Sequence, residues 1–335
     1  MSHYVKTPLL KQDFSESDVR GPQFYLKCEF LQPSGSFKSR GIGYLILNEV
    51  EKAKASGSTL HVFISSGGNA GLAAAVASKA VDTNCTVVVP STTKPHMITK
   101  IKKAGATVVI HGDHWQDADS YLRETVMKNL PAHVEPLYVH PFDDSRIWQG
   151  HSTIIDEVLE QLSQEDQSPL KVKGVISSVG GGGLYNGIVR GLERHGLADK
   201  IPLIGVETIG ADAMTKSLEA GKSVRLSDIR SIATTLGASY IAQDSLDKAA
   251  RYKTKCFAQK DAEAVKACFK FLNDRNVLVE PACAASLSLC YDIDTLKQIL
   301  QCDLTKDDIF IVIVCGGSSM TISDLQRVAD ELQIR

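Results

Sequence analysis

Short apolar runs bounded by glycine, proline and small polar residues recur along the chain, with longer amphipathic stretches between them. Phe24, Leu26, Cys28 and Phe30 occupy alternate positions and predict a first strand. Apolar runs at 61–65, 86–90 and 107–111 predict three more strands, and those at 175–178, 203–207 and 309–315 a second set. The stretches 70–79, 95–104, 154–162, 184–194, 262–273 and 322–332 read as helices, the second of them closed by Gly105. A further helix is expected after the turn Gly35-Ser36-Phe37-Lys38. Strands this short and apolar, separated by helices, belong to parallel sheets covered on both faces. The fold class is therefore α/β.

Length and charge narrow the picture. A chain of 335 residues suggests two domains and can bury a large core. There is no repeat, low-complexity tract or long linker, so the boundary is an ordinary loop. A net charge of −2 gives no electrostatic footprint for nucleic acid or an anionic membrane. No apolar run reaches the roughly 18 residues of a membrane span. The first residues carry neither a signal-peptide core nor an arginine-rich amphipathic stretch, which points to the cytoplasm without excluding the mitochondrion. The eight cysteines form no C-x-x-C pair and read as buried free thiols.

Three glycine-rich turns stand where strands should end: Ser65 to Gly71, Ser178 to Leu184, and Val314 to Ser319. Ligands of open parallel sheets bind outside the carboxyl ends of strands. Glycine there lets backbone N–H groups approach an anion, and a helix N-terminus adds a favourable dipole. One such turn could merely fit a strand to a helix; three, one with four consecutive glycines, favour an anionic ligand. A fourth feature is Pro33 to Gly41, which sets Lys38 in a turn of small residues beside Phe37 and Arg40. Such a lysine is most often solvated. Burial or a cationic neighbour would instead make it a nucleophile toward a carbonyl.

In order, S-x-K-x-R (Ser36 to Arg40), S-S-G-G-N-A-G (Ser65 to Gly71), S-V-G-G-G-G-L (Ser178 to Leu184), E-P-A-C (Glu280 to Cys283) and C-G-G-S (Cys315 to Ser318) resemble the pyridoxal-phosphate (PLP) dependent serine/threonine dehydratases. The likeness runs from about Thr7 to about Leu325 and is nearest to the eukaryotic catabolic L-serine dehydratases. It implies PLP fold type II, the tryptophan-synthase-β-like arrangement, with two parallel-sheet domains and the cofactor in the cleft. Residues 42–141 would form a small domain inserted in a large one made of 1–41 and 142–335.

The resemblance also implies roles. Lys38 is the catalytic residue and would bind PLP as a Schiff base. Phe37 would pack on one ring face and Asn69 would meet the ring hydroxyl. Gly180, Gly181, Gly182, Gly183 and Leu184 would hold the phosphate, Pro141 would border the cofactor, and Cys315 would face the pyridine nitrogen. Ser66, Gly67, Gly68, Asn69 and Ala70 would line the substrate pocket. Glu207, with the carbonyls of Gly180, Ala211 and Leu236, would bind a monovalent cation, usually potassium. The expected substrate is L-serine, and L-threonine as well, in a homodimer with no nucleic-acid or membrane partner.

Two departures from the mammalian pattern are Ala284, where glycine is common, and Thr235, where a small apolar residue faces the ring opposite Phe37. Rival readings are a serine racemase, a cysteine-synthase-like β-replacement enzyme, and a binding-only descendant, against which intact Lys38 argues. A nicotinamide dehydrogenase is a distant rival. Gly181, Gly183 and Gly187, with Glu207 twenty residues on, half-match a dinucleotide fingerprint but leave Lys38 unexplained.

Overall fold

The computed structural model describes residues 4–14, 21–128, 130–131, 133–252 and 254–334. Ten strands lie among them: β1 Leu9–Gln12, β2 Gln23–Lys27, β3 Thr59–Ser65, β4 Asn84–Val89, β5 Thr107–Ile110, β6 Val134–Tyr138, β7 Val172–Ser178, β8 Leu203–Thr208, β9 Lys255–Gln259 and β10 Ile309–Ile313. They form two sheets, one in each of two compact units. One unit comprises Met1–Val5 and Leu31–His151, the other Lys6–Phe30 and Ser152–Arg335. The turn before Lys38 lies in the unit of the four-stranded sheet.

In the first unit the sheet order is β5-β4-β3-β6, all parallel. Its helices are α1 Lys38–Ser56, α2 Asn69–Ala80, α3 Pro95–Lys103, α4 Trp115–Tyr121 and the first turns of α5 Ser145–Gln164. The two-residue period of a strand decides which side chain meets which helix. Leu60, Val62 and Ile64 of β3 and Cys85, Val87 and Val89 of β4 share a core with Ile42 and Ile46 of α1 and Ala73 and Ala77 of α2. The intervening Phe63 and Val88 pack with Ala118 and Leu122. Both faces are thereby covered.

From β3 the chain steps outward to β4 and β5, then returns to place β6 on the other side of β3. The reversal puts a switch point between β3 and β6, whose carboxyl ends lead into the 65–71 turn and the loop holding His140 and Pro141. Helix α1 is held there by a close crossing with α5. A Cβ at Gly150 would lie 2.5 Å from the Arg40 carbonyl oxygen, 2.6 Å from Tyr44 Cβ and 2.7 Å from Gly41 Cα.

The second unit repeats the logic. Its sheet runs β1-β2-β10-β7-β8-β9 and is parallel except for β1, which pairs antiparallel with β2 at one edge. The remaining helices are α6 Gly183–Arg194, α7 Ala213–Ala220, α8 Gln243–Arg251, α9 Asp261–Arg275, α10 Pro281–Tyr291, α11 Ile293–Leu300 and α12 Ile322–Glu331. Here the reversal falls between β7 and β10, the strands that lead into the four-glycine turn and the C-G-G-S turn.

Two expectations are corrected. The first strand ends at Lys27, not Phe30, and is buried on both faces. Lys27 is accommodated because its ammonium donates to the Thr7 carbonyl (2.7 Å), Glu157 Oε2 (2.6 Å) and Gln161 Oε1 (2.8 Å). The 309–315 run leaves the sheet after Ile313, so Cys315 lies in the turn beyond it. Six of the eight cysteines are buried, Cys302 is exposed and Cys256 intermediate, all as free thiols. Among the described residues no helix is long and apolar enough to cross a membrane.

Gly150→Ala should force α1 and α5 apart and lower stability by about 1–3 kcal/mol, the usual cost of overpacking. Chemical unfolding monitored by fluorescence checks this. A wild-type midpoint would mean the crossing can relax at no cost.

Candidate active site

At the β3/β6 switch point, Lys38 is the first residue of α1 and is half-buried. Its Nζ donates to the Pro141 carbonyl at 2.9 Å and stands 5.0 Å from the centre of the Phe37 ring. The preceding turn is tied internally: Ser39 Oγ donates to Ser34 Oγ (2.8 Å) and accepts from the Ser34 N–H (3.1 Å). Arg40 is fully buried with its guanidinium 4.6 Å from the centre of the Tyr4 ring.

His151, which the sequence reading did not single out, completes this arrangement. Its Nδ1 accepts the N–H of Gly41 at 3.1 Å, satisfying a donor in the first turns of the helix that carries Lys38. Its ring lies 4.9 Å from that of Phe37. Burial, then the charges of Lys38 and Arg40, hold His151 well below the usual imidazole range, so it is the neutral acceptor that Gly41 requires. The only sequence signal was a histidine on the apolar side of an amphipathic helix.

Ser66, Gly67 and Gly68 form the turn from β3 into α2, and Asn69 and Ala70 open that helix, both buried. Ser66 Oγ accepts the Gly68 N–H at 3.3 Å. In the loop after β6, His140 Nδ1 accepts the Asp143 N–H at 2.8 Å and bends the chain just past Pro141.

At the β7/β10 switch point, Gly180 to Gly183 lead into α6, with Gly182 as the N-cap at φ +92°. That conformation disfavours any side chain, and a Cβ there would meet Ser245 Oγ at 2.1 Å. Gly180 lies against Leu236: an added Cβ would be 3.2 Å from the Leu236 carbonyl oxygen. The structure thus brings together two of the four residues expected around a cation. Ala211 sits in the turn after β8. Glu207, on β8, is engaged elsewhere as well. Its Oε1 accepts from Met214 N–H (2.9 Å), and its Oε2 from Thr215 N–H (2.8 Å) and Oγ1 (2.7 Å), which caps α7. Burial pushes Glu207 up to about 7, against the lowering effect of Thr215 and Met214. A carboxylate has about four acceptor positions, so these three bonds leave room for one more partner.

Cys315 is buried beside Cys283. A hydrogen bond that the Cys315 thiol donates to Cys283, then burial, raise it well above the usual range, so it stays protonated. Cys283 Sγ in turn accepts the Gly316 N–H at 3.3 Å.

Two parallel sheets, each with a glycine-rich turn at its switch point and one with a half-buried lysine there, are the frame of a PLP fold type II enzyme. A model of the family of pyridoxal-phosphate-dependent enzymes matches residues 1–316, and the chain belongs to that family. It is 50% identical over 336 residues to an L-serine dehydratase of Saccharomyces cerevisiae (strain AWRI1631), covering 100% of this chain and 99% of the relative. It is 47% identical over 332 residues to the catabolic L-serine/threonine dehydratase of S. cerevisiae (strain S288c), covering 98% and 92%. Among solved structures, the L-serine ammonia-lyase of Rhizomucor miehei superposes with a TM-score of 0.87 at 32% identity, covering 99% of each chain. Membership of this family displaces the dehydrogenase reading. The residues present fit the cofactor: the four-glycine turn opens α6 with Gly182 at a place closed to a side chain, and Lys38 offers an amine.

The His151 assignment fixes a pH dependence. An unfolded histidine titrates near 6.5 and the folded one lower, so the unfolded chain binds more protons as pH falls below that value. Stability should drop on acidification from 6.5, with a slope of at most about 1.4 kcal/mol per pH unit from this group. His151→Gln should flatten that part of the profile. Parallel urea titrations of both proteins from pH 8 to 5 decide the point, and identical slopes would reject it.

Proposed function

We propose that this protein is an L-serine ammonia-lyase that converts L-serine to pyruvate and ammonia, and L-threonine to 2-oxobutanoate and ammonia. The observation that carries the reading is full-length similarity, at 50% identity, to an L-serine dehydratase, together with Lys38 at a strand switch point.

Bound PLP supplies an electron sink for the charge that develops at the substrate α-carbon. The chain does the rest. Lys38 Nζ holds the cofactor in the resting enzyme. Freed from that task when substrate is bound, the same amine would take the α-proton. The Pro141 carbonyl, already bonded to Nζ, steadies that amine between the two tasks. Backbone N–H groups of Gly180, Gly181, Gly182, Gly183 and Leu184 receive the phosphate at the N-terminus of α6. Those of Ser66, Gly67, Gly68 and Ala70 receive the substrate carboxylate at the N-terminus of α2. Phe37 would cover one ring face, and Asn69 would bond the ring hydroxyl. The protonated Cys315 thiol would offer the pyridine nitrogen a neutral partner, and a moderate sink of that kind suits loss of the α-proton and β-hydroxyl together as water. The released 2-aminoacrylate tautomerises and hydrolyses to pyruvate and ammonia.

A potassium ion held by Glu207 and the carbonyls of Gly180, Ala211 and Leu236 belongs to the same reading, supported by the proximity of Gly180 to Leu236 and by the acceptor position Glu207 keeps. A homodimer and a place in amino-acid catabolism follow from the resemblance alone, and a cytoplasmic location from the composition of the first residues.

Lys38→Ala should abolish pyruvate formation and leave no cofactor fixable by borohydride. Lys38→Arg should fail equally, because a guanidinium stays protonated and forms no imine. Chromatography of the products separates this from the rivals, since a racemase would yield D-serine. Near-normal deamination by either variant would sink the assignment.

For the cation, turnover should be higher in potassium than in lithium, whose small radius suits a carbonyl cage less well. Glu207→Gln should narrow the difference. Equal rates in both salts for the wild type would remove the site.

A further inference from the structure

Glu280 opens α10 as its N-cap residue, yet its side chain makes no capping bond to its own helix. It turns toward two other segments of the same unit. Oε1 accepts the hydroxyl of Thr235 at 2.7 Å. Oε2 accepts both the hydroxyl and the N–H of Ser319, the latter at 3.3 Å. The carboxylate fills the space a side chain would take at Gly317, where an added Cβ would stand 2.0 Å from Glu280 Cδ. Gly317 itself sits at φ +148°, a conformation that L side chains rarely adopt. Glu280 is 3% exposed, so these bonds face little competition from water.

The three segments joined here all bear on the proposed site. Ser319 and Gly317 belong to the turn that begins at Cys315. Thr235 belongs to the 3-10 turn Thr234–Leu236, whose Leu236 carbonyl lies against Gly180. Glu280 is one turn of α10 before Cys283, which bonds the Gly316 N–H and the Cys315 thiol.

We propose that Glu280 is a positioning residue: by receiving Thr235 and Ser319 it clamps the Cys315–Ser319 turn to the Thr234–Leu236 turn and so sets how the Cys315 thiol is presented to the cofactor ring. The inference rests on the reading that Cys315 faces that ring. It also gives Thr235 a purpose. The resemblance expects a small apolar residue at this position; the Thr235 hydroxyl is bonded to Glu280.

The test uses holoenzyme and compares wild type with Cys315→Ala, Glu280→Gln, Thr235→Val and Thr235→Ser. Two quantities are read: the absorption spectrum of the bound cofactor, and PLP affinity from titration of the apoenzyme. Cys315→Ala gauges the thiol itself and should shift the spectrum. Thr235→Val keeps the side-chain shape but loses the donor. It should shift the spectrum in the same direction as Cys315→Ala and weaken PLP binding by roughly tenfold, the value of one charge-assisted hydrogen bond. Thr235→Ser, which restores the hydroxyl, should return both quantities to wild type. Glu280→Gln should match or exceed Thr235→Val, and if it fails to fold the Thr235 pair decides alone. Wild-type spectrum and affinity in Thr235→Val, with a clear shift in Cys315→Ala, would overturn the clamp while leaving the Cys315 reading intact. An unshifted Cys315→Ala would overturn both.

Discussion

A parallel sheet whose strand order reverses cannot close its carboxyl edge, and this constraint governs both units. Where successive crossovers go one way and then the other, the loops after two adjacent strands diverge and leave their backbone groups open to a ligand. The reversal between β3 and β6 sends the 65–71 turn and the Pro141 loop apart; that between β7 and β10 does the same for the four-glycine turn and the C-G-G-S turn. Every candidate cofactor or substrate residue except Phe37 and Lys38 lies on one of these four loops or in the helix turn that follows it. Those two stand at the start of α1 and reach the β3/β6 edge through the bond from Lys38 to Pro141.

Open loops need rigid support, and buried polar side chains supply it. His151 receives a helix N–H, Glu207 receives two N–H groups and a hydroxyl at α7, and Glu280 receives two hydroxyls and an N–H. Each is an acceptor meeting donors that would otherwise lie unsatisfied, at a cost of about 1–3 kcal/mol apiece. The same rule explains Lys27, a charged residue in a strand buried on both faces, whose three ammonium hydrogens all find oxygen acceptors. Sites built in this way trade apolar packing for direction, because a hydrogen-bonded acceptor fixes an angle that a methyl group does not.

What was legible in the sequence follows from how completely a segment is buried. The central strands β3, β4, β7, β8 and β10 are near-continuous apolar runs and were read from their residues. The strands that escaped, β1, β6 and β9, all lie at sheet edges, where one side faces fewer neighbours. β6 carries Glu135 and Pro136, and β9 begins with Lys255, so neither shows the pattern of a buried strand. Helix α10 escaped for the opposite reason: nearly all its residues are buried, so it has no polar face and no helical period to detect. The glycine turns and Lys38 were visible because their chemistry is local. The supports were not. The partners of Glu280 lie 45 and 39 residues away, and Gly41 lies 110 residues from His151, distances at which no motif operates.

The pairing of Cys315 with Cys283 bears on why a thiol stands in this turn. A carboxylate beside a pyridine nitrogen would hold the ring protonated and deepen the electron sink. Here Glu280 bonds Thr235 and Ser319 through its carboxylate. Its charge adds to the effects of Cys283 and burial that keep the Cys315 proton in place. A thiol so held keeps its proton. The neutrality of this thiol is therefore a property of the packed unit rather than of a single residue.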